Sequence, residues 1–512
     1  LFRSKLSKEK ADNLYETLKE HEGLERVMIA LSDYGFGPQL SMKIYQTYKE
    51  EAIEVIQKNP YQLVYDIEGI GFKRADELGK TLDITGSHPD RIRAGALFCL
   101  TEKSLQEGHV FLYFEPYVAS IKALLDGETI VEEEAISREI VHLDEEGKLI
   151  LDNERVYLPS LYFAEKGLAA NVKHLLKRTE KLTSYREADI DEAIRNLETK
   201  LSIQYADLQK KAIKTAIVSP LMILTGGPGT GKTTVIQGIV EIFADLNDID
   251  LHQRHGSKDE PFPVVLAAPT GRAAKRMSEA TNLPAQTIHR LLGWKGESFE
   301  HDEDEPIKGK LLIIDEVSMV DIWLANQLFK SLPEDIQVVL VGDEDQLPSV
   351  QPGQVLKDLL ESAVIPTVQL KSIYRQKDGS SIVQFAHHIK KGELPADFGE
   401  ATSDRRFFPC RPDNIGQVVE QICQHALNKG FTVNDIQVLA PMYKGKAGVE
   451  QLNARLQKMF NPESEQRRQI RSRDYTYRVG DKVLQLVNDM ENQVFNGDIG
   501  FIEEIDQEDR SI

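Results

Sequence analysis

The chain has 512 residues, 41% hydrophobic and 28% charged, with a formal net charge of −20. That is enough for several globular domains rather than one core. No apolar stretch reaches the roughly 18–20 residues of a bilayer-spanning helix. Three scattered cysteines, Cys99, Cys410 and Cys423, argue against a disulfide framework or zinc site and for a reducing compartment. The acidic balance argues against indiscriminate coating of nucleic acid but leaves room for a local basic groove. "LFRSKLSKEK" at the N-terminus has neither the apolar core of a secretory signal nor an initiator Met, so a trimmed or partial chain is expected.

The first stretch reads as helical with a weak repeat. "DYGFGPQLSMKIYQTY" (33–48) and "DIEGIGFKRADELG" (66–79) each set a Gly-apolar-Gly turn, Gly35/Gly37 and Gly69/Gly71, between helical patterns. Glycine permits the tight turn, and the N–H groups at the start of the next helix suit a phosphate. The pattern resembles a tandem helix-hairpin-helix module, a non-specific binder of DNA backbone; two plain helix connections are the alternative. Residues 87–200 mix periods. "DEEGKLILDNERVYLP" (144–159) alternates around an Asp-Asn turn and predicts a hairpin. Helices followed by such a hairpin suggest a winged-helix-like module or a structural linker domain.

From about residue 201, short apolar runs alternate with helical stretches: "LMILT", "VVLAA", "LLIID" and "VVLVG". These predict buried parallel strands with crossover helices, an α/β architecture. "PTVQL" (366–370) and "IQVLAP" (436–441) are expected to begin a second, similar set, leaving a cleft between two α/β units. Near the C-terminus the runs shorten and Asn496-Gly497 signals a hairpin, so a small β-barrel insertion is expected there.

The chemistry is concentrated in the α/β region. "LMILTGGPGTGKTT" (221–234) places G-x-x-x-x-G-K-[ST] directly after an apolar run and before a helical pattern. Gly227, Pro228, Gly229, Thr230, Gly231, Lys232, Thr233 and Thr234 would line a triphosphate, which every one of them but Pro228 can meet with a backbone N–H. Lys232 would neutralise the outer phosphates and Thr233 would ligate Mg²⁺. "LLIIDEVSMVD" then ends a strand on Asp315, a second Mg²⁺ ligand, beside Glu316, which can deprotonate water. "VGDEDQLPSV" (341–350) offers Gln346, a neutral amide that can face both water and a γ-phosphate, where a carboxylate would be repelled. ATP and Mg²⁺ are the expected cofactors.

"GGPGTGKTT", "APTGRAAKRM" (268–277), "TIHRLLGW" (287–294), "LLIIDEVSMVD", "GDEDQLPSV" and "IYRQ" (373–376) occur in the order seen in RecD-like superfamily-one DNA helicases, and the chain resembles that family over most of its length. The two glycine turns and the winged-helix-like stretch resemble the N-terminal extension of its stand-alone type. The resemblance implies two tandem RecA-like P-loop units. It implies that Gln209 in "YADLQKKAI" reads adenine, that Glu316 is the catalytic base, and that Arg375 of "IYRQ" reaches the γ-phosphate beside Gln346. It also implies 5′-to-3′ travel on single-stranded DNA, a bacterial, cytoplasmic and nucleoid-associated setting, a monomer, and a single-stranded-DNA-binding protein as a candidate partner. The expected division is 1–86 helix-hairpin-helix, 87–200 winged-helix-like, 201–362 first RecA-like domain and 363–512 second, incomplete RecA-like domain with an SH3-like insertion from about 470.

Strand contacts are expected from Thr270, Arg272 and Lys275 just after a strand, from His289 of "TIHR", and from Tyr443, Lys444 and Lys446 of "APMYKGKAGVEQLN" (440–453). "RRQIRSRDYTYRVGDK" (467–482) interleaves basic residues with tyrosines, a composition suited to backbone and base. Each of these can also be a solvated face. "GWKGESFEHDEDEPI" (293–307) falls where the family carries a wedge hairpin, but its acidity equally fits a flexible loop. The family's later "hKxQGSE"-type and arginine motifs do not occur. Two other function classes stay open: a subunit of an ATP-dependent nuclease complex, like the exodeoxyribonuclease V alpha chain, and an ATP-gated DNA-junction module that does not unwind.

Overall fold

The computed structural model describes residues 23–127, 130–178, 185–252, 262–371, 380–465, 467–472, 475–487, 489, 494, 496–506, 509 and 511–512. The chain divides into two compact units. The first runs to Lys177 and takes in Ser318–Ser331 and Pro348–Asp358; the second holds Arg178–Val317, Leu332–Leu347 and Leu359–Ile512.

In the first unit, the helices Pro38–Tyr48 and Phe72–Thr81 each start directly behind a glycine pair. Gly35 (φ 79°) and Gly69 (φ 100°) take left-handed conformations that side chains resist, which explains the repeated residue type. The two turns are fastened to each other. The Arg74 guanidinium donates to Gly35 O at 2.7 Å and lies 4.9 Å over the Phe36 ring, and Lys43 donates to Glu68 O. A core of Val27, Leu31, Phe36, Ile44, Ile56, Ile67 and Ile70 sits beneath.

The helices Pro89–Glu107, Phe114–Leu125 and Glu133–Glu145 follow, with strands β1 (Phe111–Tyr113), β2 (Ile150–Asp152) and β3 (Arg155–Tyr157) in an antiparallel sheet ordered β1-β3-β2. The expected hairpin is present, turning at Asn153 (φ 58°). Buried Arg91 donates to both carboxylate oxygens of Asp76, at 2.7 and 3.0 Å, tying Pro89–Glu107 to the helix Phe72–Thr81. The helices Pro159–Leu176 and Ile322–Lys330 pack closely where Gly167 meets the Asn326 side chain.

The second unit is built on a six-stranded sheet: β4 (Leu221–Gly226), β5 (Val264–Ala268), β6 (Ala285–Thr287), β7 (Leu311–Ile314), β8 (Gln337–Gly342) and β9 (Thr367–Leu370), in the order β6-β5-β7-β8-β4-β9. Every pairing is parallel. The near-continuous apolar runs follow from burial on both faces: β4 and β8 have no exposed residue, and the core includes Met222, Leu224, Ile236, Ile239, Ile313, Val339 and Val341.

Two readings need correction here. "PTVQL" does not open a second sheet: β9 pairs with β4 on the edge of the first, Ile223 facing Thr367 and Gly226 facing Leu370. Val368 and Leu370 enter the first sheet's core while Thr367 and Gln369 stay exposed, as an edge strand requires. "IQVLAP" is extended with half-buried Ile436, Val438 and Ala440 alternating with exposed Gln437 and Leu439, but it joins no ladder. Among the described residues there is one parallel sheet. Farther on, the helices Ser381–Lys390, Ile415–Asn428 and Val449–Phe460 precede two antiparallel pairs, β10 (Gln469–Ser472) with β11 (Tyr475–Arg478) and β12 (Lys482–Leu484) with β13 (Ile499–Phe501). The Asn496-Gly497 turn lies between the last two strands, Gly497 at φ 95° donating to Gln485 O. Residues 293–307 form successive turns without strand pairing.

Candidate nucleotide site

Parallel strands put their C-terminal ends along one edge, and the sheet order decides which ends are neighbours. β8 lies between β4 and β7. The loop after β4, the Asp343–Gln346 turn after β8 and the Asp315-Glu316 pair after β7 therefore stand side by side.

The loop after β4 is shaped by Gly229 (φ 79°) and Gly231 (φ 87°), the latter capping the helix Lys232–Leu246. The first N–H groups of that helix, from Lys232, Thr233 and Thr234, have no partner within it. The Lys232 ammonium curls over the loop and donates to Gly226 O and Gly227 O, at 2.5 and 3.2 Å. Thr230 braces the turn through a 2.8 Å bond to Gly227 O. Thr233 and Thr234 are exposed at the loop's rim.

Glu316 has φ 55°, a strained setting for a side chain this large. Its Oε2 is buried without a hydrogen-bond partner. Burial raises its pKa; Asp315 and Asp343 add to the rise, and Lys232 and Arg276 oppose it. Burial likewise raises Asp315, against the hydrogen bond from Glu316 N and the charge of Lys232. Two carboxylates pushed toward neutrality beside one lysine fit a site prepared for added positive charge and for water.

Gln346 is exposed, with its N–H donating to Asp343 O at 3.2 Å and its amide 3.4 Å from Asp343 Oδ2. The turn is held from outside by ion pairing of Lys390 with Asp345. Asp343 and Arg276 are site residues that sequence reasoning missed. Asp343 was the first polar residue after the apolar run 338–342, a usable signal; Arg276 had none.

Gln209 is buried in the first turn of the helix Asp207–Val218, its side-chain oxygen accepting from Ala206 N at 3.0 Å. Thr270 follows β5 at the same sheet edge and spends its hydroxyl as an acceptor for Ala273 N; Arg272 and Lys275 are exposed on the helix Gly271–Thr281. His289 is exposed and forms a ring cluster with Trp294 (6.4 Å) and Phe299 (6.1 Å). Tyr443, Lys444 and Lys446 lie in the separate loop before the helix Val449–Phe460, where Lys446 pairs with Asp413 at 2.8 Å. Part of the basic run at 467–482 is structural: Arg478 donates to Asn461 O and Lys482 to Val433 O and Ile436 O. Arg375 lies outside the described residues.

Three family profiles match the chain: an AAA domain over residues 209–352, the HHH domain of ATP-dependent RecD2 DNA helicase over 20–111, and the SH3 domain of ATP-dependent RecD-like DNA helicase over 452–512. The chain is 32% identical over 493 residues to the ATP-dependent RecD2 DNA helicase of Deinococcus radiodurans, covering 94% of this chain and 64% of that protein. By these matches the chain is similar to the RecD-like helicases. This RecD-like chain is also 30% identical over 328 residues to the RecBCD enzyme subunit RecD of Mycolicibacterium smegmatis, covering 57% of this chain and 56% of that one. It thus spans less than two thirds of either relative.

In this RecD-like chain the close approach of β9 constrains the phosphate loop. A Cβ at Gly226 would lie 2.8 Å from Leu370 O and 2.9 Å from Thr230 Oγ1. Backbone cannot yield cheaply, so Gly226→Ala is expected to cost about 1–3 kcal/mol of stability and to weaken nucleotide binding. Thermal unfolding with and without nucleotide measures both.

Proposed function

We propose that this chain binds and hydrolyses ATP and couples hydrolysis to 5′-to-3′ movement on single-stranded DNA, separating strands at junctions in repair or recombination. The observation that carries the reading is Glu316: a half-buried carboxylate on strained backbone whose Oε2 is buried without a hydrogen-bond partner, under the opposing charges of Lys232 and Asp343 beside the phosphate loop. It accepts the proton of the attacking water as that oxygen bonds the γ-phosphorus and the β–γ bridge breaks, releasing ADP and phosphate. Gln209 contacts the base and Gly227–Thr234 the phosphates, while Thr233 and Asp315 would hold Mg²⁺. When bound, the ion would supply neutralising charge to the phosphate oxygens. Arg375 completes the γ-phosphate contacts.

Thr270, Arg272, Lys275, His289, Tyr443, Lys444 and Lys446 form the proposed track for the strand. The two fastened glycine turns hold duplex backbone, and the helix–sheet module behind them acts as a winged helix. The expected boundaries at 86 and 200 are kept in this reading, the first RecA-like domain extends past 362 to take in β9, residues from 380 onward supply the second RecA-like lobe and its SH3-like insertion, and the aromatic turns at 293–307 stand at the strand junction. The helix-hairpin-helix match favours a stand-alone monomer over a nuclease-complex subunit. A single-stranded-DNA-binding protein as partner and a cytoplasmic, nucleoid-associated setting go with it.

Steady-state ATPase with and without single-stranded DNA tests the reading; a rate indifferent to DNA sinks it. Gln346→Ala is expected to lower the DNA-stimulated rate severalfold, about tenfold at most, with nucleotide affinity little changed, because its amide acts after binding. Titration with a fluorescent ATP analogue separates the two; equal losses would count against a sensing role.

A further inference from the structure

The sheet of the first unit turns an aromatic face away from its core. Leu112 and Val156 point inward, so Phe111 and Tyr113 of β1 share the opposite face with Arg155 and Tyr157 of β3. In the antiparallel register Phe111 stands opposite Tyr157, and Tyr113 opposite Arg155. The rings form a continuous chain. Tyr113 to Phe111 is 5.4 Å, Phe111 to Tyr157 5.4 Å, Tyr157 to Tyr162 5.2 Å and Tyr162 to Phe163 5.5 Å. Two cations lie on it, Arg155 at 4.7 Å from the Phe111 centroid and Lys166 at 4.9 Å from that of Tyr162.

Packing accounts for the middle of this chain, where Tyr157 is 3% exposed, but not for its ends, where Tyr113 is 53% and Phe163 64% exposed. Two of the nearby acids are engaged or weakened. Asp152 accepts from Tyr162 Oη at 3.3 Å and lies 3.7 Å from Lys166. Glu165 faces Arg155, but burial first and then Asp358 raise its pKa. Alternating rings and cations match alternating bases and phosphates better than they match an apolar peptide.

We propose that this face is a stacking platform for unpaired bases of single-stranded DNA, with Tyr113 and Phe163 as the stacking rings and Arg155 as the phosphate contact, separate from the motor's own strand-binding residues. The proposal rests on the reading that the chain works on DNA. The test is fluorescence anisotropy of a labelled oligothymidylate with the full chain. Tyr113→Ala/Phe163→Ala is expected to raise Kd about tenfold or more and to leave DNA-free ATPase unchanged, while Tyr113→Trp/Phe163→Trp retains tight binding. An unchanged Kd in the alanine pair, with wild type binding normally, overturns the platform alone. Failure of the wild-type chain to bind the oligonucleotide overturns the DNA reading itself. Photo-crosslinking of an iodouracil oligonucleotide to the wild-type protein needs no variant. Adducts on Tyr113, Tyr162 or Phe163 support the platform, and adducts confined to residues 185–512 overturn it.

Discussion

Lys232→Ala is expected to lower ATP turnover about a hundred- to a thousandfold while leaving affinity for single-stranded DNA intact. The ammonium is already held over the phosphate loop by Gly226 O and Gly227 O, so its orientation costs little when the triphosphate arrives. Its loss removes the positive charge that opposes the upward pKa shifts of Asp315 and Glu316. Both carboxylates would then protonate at higher pH, weakening the proposed Mg²⁺ site and disarming the proposed base together. The strand-contact candidates Arg272, Lys275 and Lys444 are exposed on other segments and are untouched by the change. A coupled ATPase assay beside an anisotropy titration checks both halves, and wild-type turnover in the variant would refute the site.

The phosphate loop was legible in the sequence because all its parts are local. A buried strand, glycines at positive φ, one lysine and a helix start fall within Leu221–Thr234. The glycine turns at 35–37 and 69–71 were legible for the same reason, although the Arg74 fastening between them was not. Asp343 and Arg276 reach Glu316 only because β8 and β5 flank β7, a matter of sheet register that no local pattern carries. The same gap misplaced β9. Alternation says that Thr367–Leu370 is a strand, but only its pairing with β4 says whose. Composition failed differently at 467–482, where it counted charges without seeing that Arg478 and Lys482 are spent on backbone carbonyls. The aromatic face of the first unit was invisible because Phe111, Tyr157 and Tyr162 meet across two strands and a helix.

Glu316→Gln separates catalysis from stability, with opposite signs. In its proposed role as general base, Glu316 must lose its proton. With its pKa raised by burial and by Asp315, the acid limb of the wild-type rate profile lies above the usual carboxylate range. The amide cannot take a proton from water, so turnover is expected to fall about a hundred- to ten-thousandfold at every pH, with nucleotide still bound. Stability moves the other way. A carboxyl whose folded pKa is raised favours the fold while protonated, and that contribution is lost as pH rises through the folded pKa. Above that folded pKa the wild-type protein carries a half-buried charge opposed by Asp315 and Asp343, which the neutral amide removes. Glu316→Gln is expected to melt higher than wild type at pH 8, with the difference shrinking toward pH 5. Melting curves across that range decide it, because a residue with a purely structural role would lose stability on substitution instead of gaining it.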